Sequence, residues 1–371
     1  MATINELKII EYTTTILYEP NSWKIWVSKR KNYTKEFYGH WQTPGGHIEE
    51  TDLTRRHAAQ REILEETGIK IEISDLKYWS TEHYQKENEW RIVHCFKAIT
   101  NEIPKLMEPW EMTDWELRDI KSVLKEPIIQ SVQDILNGKQ QIETSIIGID
   151  GTCGAGKTTL VKKCKEYLER KGLRVKVLNE SFITEDSFGG LKKYGENLEK
   201  FRKQELDREQ FRKETIEWEK WIRDNWMTQI YICMAHEEKP DVILMDRNLM
   251  STKFFMETMR KEGYFEEEDK EEICKNYKQW EGLLREALII LWNTPIEETI
   301  KRLRFRGRPG EKDIKYFQTL AETYQENAIK IYPNVKVITK ETLIPKEEIN
   351  SFITSIINEK EIYSRIRGYY K

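Results

Sequence analysis

Cysteine is scarce: the chain has five, Cys95, Cys153, Cys164, Cys233 and Cys274, and no two stand in CxxC spacing. That argues against a disulfide framework and a zinc site, and it suits a reducing, cytoplasmic compartment. Long apolar runs are missing too. The longest, Ala287–Trp292, falls far short of the roughly 20 residues needed to cross a bilayer. The polar Met1–Leu7 segment lacks the basic-then-apolar profile of a signal peptide. An excess of one charge is also absent, since 61 Lys+Arg against 64 Asp+Glu leave a net charge of -3. A dedicated nucleic-acid binder carries a basic surplus. Neither a membrane nor nucleic acid is therefore the expected partner, although a balanced total leaves room for a local basic groove. Apolar residues make up only 38%, yet 12 Trp, 17 Tyr and 12 Phe supply ample material for cores.

At about 150 residues per domain, 371 residues predict two or three domains. The first clear break is Leu136-Asn137-Gly138-Lys139-Gln140-Gln141, where Asn-Gly ends a helical pattern and a polar stretch follows. We place the domains at 1–140 and 141–371. Before the break, Tyr12–Tyr18, Lys24–Ser28 and Arg91–Ile99 read as strands around one helix, Leu53–Thr67, giving an α+β domain. After it, Ser145–Asp150, Val175–Leu178, Val242–Met245, Leu288–Trp292 and Val335–Thr339 read as buried parallel strands. Helical patterns lie between them, including Lys157–Lys171 and the highly charged Leu191–Met227, expected to be a long exposed helix pair packed by its aromatics, Trp218, Trp221 and Trp226 among them. The fold class is α/β overall, with a doubly wound parallel sheet in the second half, whose ligands bind beyond the strands' C-terminal ends.

Two motifs carry chemistry. In the first, Gly45-Gly46-His47-Ile48-Glu49-Glu50 leads into Arg61-Glu62-Ile63-Leu64-Glu65-Glu66-Thr67-Gly68. Glu62, Glu65 and Glu66 span roughly 100° of a helical wheel. Three carboxylates on one face repel unless a cation intervenes, and an all-oxygen site favours Mg²⁺ or Mn²⁺. Gly68 suits a C-cap, and Gly45-Gly46 allows close backbone approach to a ligand. In the second, the strand Ile146–Asp150 runs into Gly151-Thr152-Cys153-Gly154-Ala155-Gly156-Lys157-Thr158, which satisfies GxxxxGK[ST] between a strand and a helix. Its glycines free backbone N–H groups to face phosphate, Lys157 neutralises β/γ charge, and Thr158 ligates Mg²⁺. Further on, Asp246-Arg247 ends a strand, and the segment Arg302–Glu311 is rich in Arg, suited to bidentate phosphate contacts.

The first motif closely resembles the Nudix box, the segment Gly39-His40-Trp41-Gln42-Thr43-Pro44 before it agrees, and Glu108–Glu116 resembles the family's later acidic-aromatic segment. The likeness covers nearly all of residues 5–138. It implies hydrolysis of a nucleoside phosphoanhydride, with Glu62, Glu65 and Glu66 as metal ligands or as the base positioning water. Arg61 would orient them, and Glu116 would be an additional acid. The span from Gly46 to Arg61 is one residue longer than usual, and Asp52 stands where Glu is expected.

The second half, about residues 144–358, resembles the deoxynucleoside and thymidylate kinases of the P-loop group. The resemblance implies that Gly151, Gly154, Gly156, Lys157, Thr158 and Thr159 bind ATP as phosphoryl donor. Asp246 would assist Mg²⁺ or the acceptor, and Arg247 would contact phosphate. Arg302, Arg306, Arg308 and Glu311 would form a lid, in which Gly310 replaces a first Glu. Glu180 matches the Glu of a Glu-Pro motif, with Ser181 in place of Pro. It would be the general base for a nucleoside 5′-hydroxyl, a role a monophosphate acceptor does not need. The resemblances imply small-molecule nucleosides and nucleotides as partners, and four readings stay open here: nucleoside kinase, thymidylate-type monophosphate kinase, polynucleotide kinase, and a Nudix half that senses nucleotides without cleaving them. The homodimer is an assembly open to the chain.

Overall fold

The computed structural model describes residues 8–138, 143–179, 190–235, 239–248, 250–275, 287–307, 313–331, 335–339 and 348–356. The chain divides into two compact units, with the division after Glu143.

The first unit is built on a mixed sheet. Its centre is a parallel pair, β1 (Lys8–Tyr18) and β5 (Glu89–Ile99), matched over their full lengths. Strands β4 (Lys77–Lys86), β2 (Ile25–Lys29), β3 (Trp41–Gln42) and β6 (Glu116–Arg118) add antiparallel, in the order β3-β2-β1-β5-β4, with β6 also on β2. The period-two alternation of strands sorts side chains to opposite faces. Leu17, Trp26 and Phe96 pack with Ala59 and Ile63 of helix α1 (Arg55–Thr67). Their neighbours Ile16, Ile25 and Cys95 pack with Val132 and Ile135 of α3 (Gln130–Asn137), which follows the short α2 (Ile120–Val123). The sheet is thus the middle layer between α1 and α3.

Helix α1 starts two residues later than the pattern Leu53–Thr67 predicts, because Thr54 caps it: its hydroxyl accepts the His57 N–H at 3.2 Å. It stops at Gly68, whose φ of 71° is the left-handed cap conformation and whose N–H reaches the Leu64 carbonyl at 2.9 Å.

The second unit holds a wholly parallel sheet of β7 (Ser145–Asp150), β8 (Val175–Leu178), β9 (Val242–Asp246), β10 (Leu288–Asn293) and β11 (Val335–Thr339), ordered β11-β10-β7-β9-β8. Every residue of β7 and β9 is buried, as strands covered on both faces require. Strand order reverses at β7, and with right-handed crossovers the connecting helices fall on both faces. These include α4 (Lys157–Arg170), α5 (Gly190–Arg202), α6 (Arg208–Ala235), α7 (Ser251–Lys261), α8 (Glu267–Lys275), α9 (Ile296–Arg306), α10 (Ile314–Ile331) and α11 (Ile349–Ile356). The charged Leu191–Met227 stretch forms a helix pair packed by its aromatics, as expected. Phe211, Trp218, Ile222, Trp226 and Ile230 of α6 recur at helical spacing and are all buried.

Candidate functional sites

In the first unit the loop before α1 zips along β1. Thr15 N–H donates to the Pro44 carbonyl, Thr13 N–H to that of Gly46, and Ile48 N–H to that of Glu11. A Cβ at Gly45 would lie 2.2 Å from the Thr13 carbonyl oxygen, and one at Gly46 would lie 2.6 Å from both Glu62 carboxylate oxygens. The glycines therefore admit β1 on one side and a carboxylate on the other. This is a more specific reason than the ligand approach read from sequence.

The acidic face is graded by depth. Glu66 is buried and accepts the Gly45 N–H at 3.2 Å, Glu62 is nearly buried, and the Glu65 side chain is half-exposed. Burial pushes the Glu62 carboxyl up, against the pull of Arg61. Burial and the neighbouring Glu62 charge lift Glu66 well above the usual carboxylate range. Arg61 binds across this face: it donates to Glu62 at 2.7 Å, Glu65 at 3.0 Å and the His47 carbonyl at 2.9 Å. It also donates to Asp52, at 3.1 and 2.9 Å, and lies 4.0 Å from the Glu49 carboxylate. Asp52, the departure from the family pattern, thus anchors the guanidinium. Among the described residues no three acidic, His or Cys side chains already converge as a metal cage. The guanidinium lies between Glu62 and Glu65, which explains their separation.

From the later acidic segment, the residue that reaches this face is Glu108. Its charge raises Glu66, and its own carboxyl is raised by burial and by Glu111 and Glu65. Glu116 instead pairs with Arg118 at 3.1 Å, half-exposed on β6. The pattern contained Glu108, but nothing in its spacing distinguished it from Glu116.

In the second unit the phosphate loop leaves β7 through Gly151, whose φ is 141° and whose Cβ position lies 2.2 Å from the Trp292 carbonyl oxygen. Only glycine fits that conformation and that space. Strand β10 straps the loop: Trp292 Nε1 and Thr294 Oγ1 both donate to the Ala155 carbonyl at 2.9 Å. Lys157, buried on the first turn of α4, donates to the Gly151 and Thr152 carbonyls at 3.1 and 2.8 Å. Thr158 donates to Asp246 at 2.6 Å, joining the loop to the end of β9, while Thr159 is exposed.

Beneath the loop is a polar network of which sequence reasoning found Arg247 and Ser251 but not Asp150 or Tyr324. Asp150, wholly buried, accepts from Gly151 N–H at 2.7 Å, Tyr324 Oη at 2.9 Å and Ser251 Oγ at 3.0 Å. Arg247, at a left-handed φ of 68°, donates to the Gly151 carbonyl at 2.8 Å and to Cys153 Sγ at 3.2 Å. Its guanidinium lies under the loop, on the carbonyl side, where it supports loop shape. Burial and Asp150 push the Tyr324 phenol well up, so it stays a donor. Ser251 was visible in the motif, but Asp150 and Tyr324 lie 174 positions apart and only the fold brings them together.

Arg302 reaches the loop from α9, donating to the Gly154 and Ala155 carbonyls at 3.3 and 3.1 Å and to Glu298 at 2.9 Å. Arg306 is exposed on the last turn of the same helix. Glu180, Arg308 and Glu311 lie outside the described residues. No helix among the described residues is long and apolar enough to cross a membrane.

Comparison with known proteins agrees with both halves. Residues 12–136 match the model of the NUDIX domain, and residues 147–369 match that of the deoxynucleoside kinase family. The chain is 23% identical to the deoxyadenosine kinase of Dictyostelium discoideum over 222 residues, covering 56% of this chain and 78% of that protein. It is 26% identical to a probable thymidylate kinase of Archaeoglobus fulgidus over 218 residues, covering 58% of this chain and 98% of that one. Among solved structures it is similar to the MutT protein of Methanosarcina mazei Go1, with 18% identity and a TM-score of 0.32 over 36% of this chain and 93% of that one. The chain belongs to the deoxynucleoside kinase family and carries, ahead of the kinase domain, a NUDIX domain.

Proposed function

We propose that the chain is a bifunctional enzyme of nucleotide metabolism, with a hydrolase domain at 1–140 and a kinase domain at 141–371. The kinase transfers the γ-phosphoryl group of ATP to a deoxynucleoside 5′-hydroxyl, and the hydrolase cleaves a nucleoside phosphoanhydride. The observation that carries the kinase reading is the phosphate loop itself. It is strapped from β10, held by Arg247 and Asp150 below, and joined through Thr158 to Asp246.

Backbone N–H groups of the loop and Lys157 would receive the donor phosphates at the N-terminus of α4, where the helix dipole adds to the attraction. Thr158 and Asp246 would hold Mg²⁺, whose chemistry is neutralisation of phosphate charge. Arg302 sits against the loop, where it can stabilise charge on the transferring group. The resemblance assigns the remaining work to residues outside the described set: Glu180 takes the 5′-hydroxyl proton, and Arg308 and Glu311 complete the lid with Arg306.

In the hydrolase unit the buried, mutually repelling Glu62 and Glu66 fit a hard divalent cation, with Glu65 as a further oxygen donor. Mg²⁺ or Mn²⁺ there would supply an activated water and neutralise charge developing on the anhydride. Arg61 holds the carboxylates in place, and Asp52 holds Arg61.

One second reading has its own support: the probable thymidylate kinase matches over 98% of its length, and this favours a monophosphate acceptor. Purified chain supplied with ATP and either thymidine or its monophosphate decides between them. Release of phosphate from a nucleotide panel with Mg²⁺ or Mn²⁺ tests the hydrolase. No release from any nucleotide would leave the sensor reading in its place.

A further inference from the structure

Under the first turn of α1 a charged cluster is set into the sheet. His94 of β5 is wholly buried, and side chains from three other elements meet it. Its Nε2 lies 3.0 Å from the Glu11 carboxylate of β1, and its Nδ1 lies 3.1 Å from the Thr81 hydroxyl of β4. Arg55, the first residue of α1 and itself buried, reaches the same Nδ1 with its guanidinium at 3.4 Å. The Tyr78 hydroxyl closes the cluster on Thr81 at 2.8 Å. Buried charges of this kind cost free energy unless each finds a partner. The chemistry proposed for this unit uses none of them.

The contacts fix the state of the ring. A guanidinium only donates, so Nδ1 must accept, and the ring proton sits on Nε2 and is given to Glu11. The imidazole is therefore a spacer of defined length and polarity between a carboxylate on β1 and a cation on α1. What it holds is the segment between the glycine loop and the helix. Upstream, Ile48 N–H donates to the Glu11 main-chain carbonyl at 3.0 Å, and His47 bridges to Tyr12 with rings 4.4 Å apart. Downstream, Arg55 is seated on His94. The segment Glu49–Thr54, within the span that is one residue longer than the family pattern, is thus pinned at both ends. Inside it Asp52 accepts the Glu49 N–H at 2.8 Å and carries Arg61, which in turn spans Glu62 and Glu65. Glu62 stands on the same helix, roughly 10 Å along from the pinned turn.

We propose that His94 is a positioning residue of the Nudix site: it seats the first turn of α1 and so sets, through Asp52 and Arg61, where Glu62 and Glu65 stand to receive a divalent cation. The assignment rests on the hydrolase reading above and extends it to a residue outside the carboxylate face. A first turn that shifts carries Asp52 and the Arg61 guanidinium with it. Glu62 and Glu65 then lose the donor that holds them at a fixed separation. Residues that support metal ligands from behind commonly govern metal affinity by about 10- to 100-fold.

The test compares two substitutions that each keep half of the ring's function. Asn places its side-chain oxygen near the position of Nδ1 and keeps an acceptor for Arg55. Gln places its side-chain nitrogen near Nε2 and keeps only the link to Glu11. Mn²⁺ binding to the full chain, followed by the paramagnetic signal of the free ion, is measured beside hydrolysis of the nucleotide panel. The binding titration contains no ATP, because the kinase site takes its cation together with nucleotide phosphates. His94→Gln should weaken Mn²⁺ binding by about tenfold and lower kcat with KM for nucleotide unchanged, while His94→Asn stays within about threefold of wild type. Arg55→Ala should reproduce the loss, and adding His94→Gln to it should cost nothing further. The melting transition of the Nudix unit reports the folding of each variant. Equal Mn²⁺ affinities in the Asn and Gln variants, or additive losses in the double variant, overturn the assignment and leave the hydrolase reading standing. Absence of phosphate release by the wild-type chain from every nucleotide overturns the hydrolase reading, and the Mn²⁺ affinities then still decide whether His94 positions the carboxylates.

Discussion

The Nudix face and the loop after β7 are charged sites of opposite polarity and opposite construction. The Nudix face gathers carboxylates on a single helix, balanced within the unit by Arg61. The kinase loop gathers N–H groups and Lys157 on a turn whose underside is braced by Asp150, Arg247, Ser251 and Tyr324. One site is a surface written along consecutive residues. The other is a buried junction assembled from β7, β9, α7 and α10. The near-neutral net charge of the chain conceals this division.

That contrast can be broken, starting with the largest effect. Asp150→Asn should leave Arg247 buried without its anion and weaken three hydrogen bonds, destabilising the kinase unit by about 3–5 kcal/mol. Thermal unfolding of the full chain should show one transition moved sharply down and the Nudix transition in place. Glu66→Gln keeps the shape of the Nudix face while removing a buried charge, and should lower hydrolysis by about 10²-fold or more. Steady-state assays should find phosphoryl transfer by the same variant unaltered. Equal losses in both activities would mean that the units are not separate in function.

The smallest effect is a pH slope. Glu219 has its pKa raised by burial to about 7 from 4.5, so the folded chain holds this proton more tightly than the unfolded one. Its contribution to stability is full below the ordinary carboxylate pKa and is lost as pH rises through about 7. The total is up to about 3 kcal/mol. Glu219→Gln should therefore gain stability relative to wild type between pH 5 and pH 7.5. Parallel melting curves at the two pH values would contradict it.

Legibility in the sequence followed the same contrast. Strands β7 and β9 were readable because burial on both faces leaves continuous apolar runs such as Val242–Met245. The carboxylate helix was readable because one face of one helix is a local property. Strands β3 and β6 were not, since two or three residues cannot display a period. The brace under the phosphate loop was not readable either, because Asp150 and Tyr324 meet only when the sheet and α10 assemble. Arg247 was legible as a site residue, yet its direction was not: a left-handed backbone turns its guanidinium beneath the loop. Glu108 and Glu116 looked equivalent until folding brought Glu108 to the acidic face and placed Glu116 on an edge strand.

Two independent phosphoanhydride sites on one chain should separate under Lys157→Ala in the intact protein, with transfer from ATP and hydrolysis of a nucleotide panel followed in parallel. Transfer should fall by about 10³-fold or more, with hydrolysis at the wild-type rate. Persistent transfer, or hydrolysis falling in step with it, would rule out two independent sites.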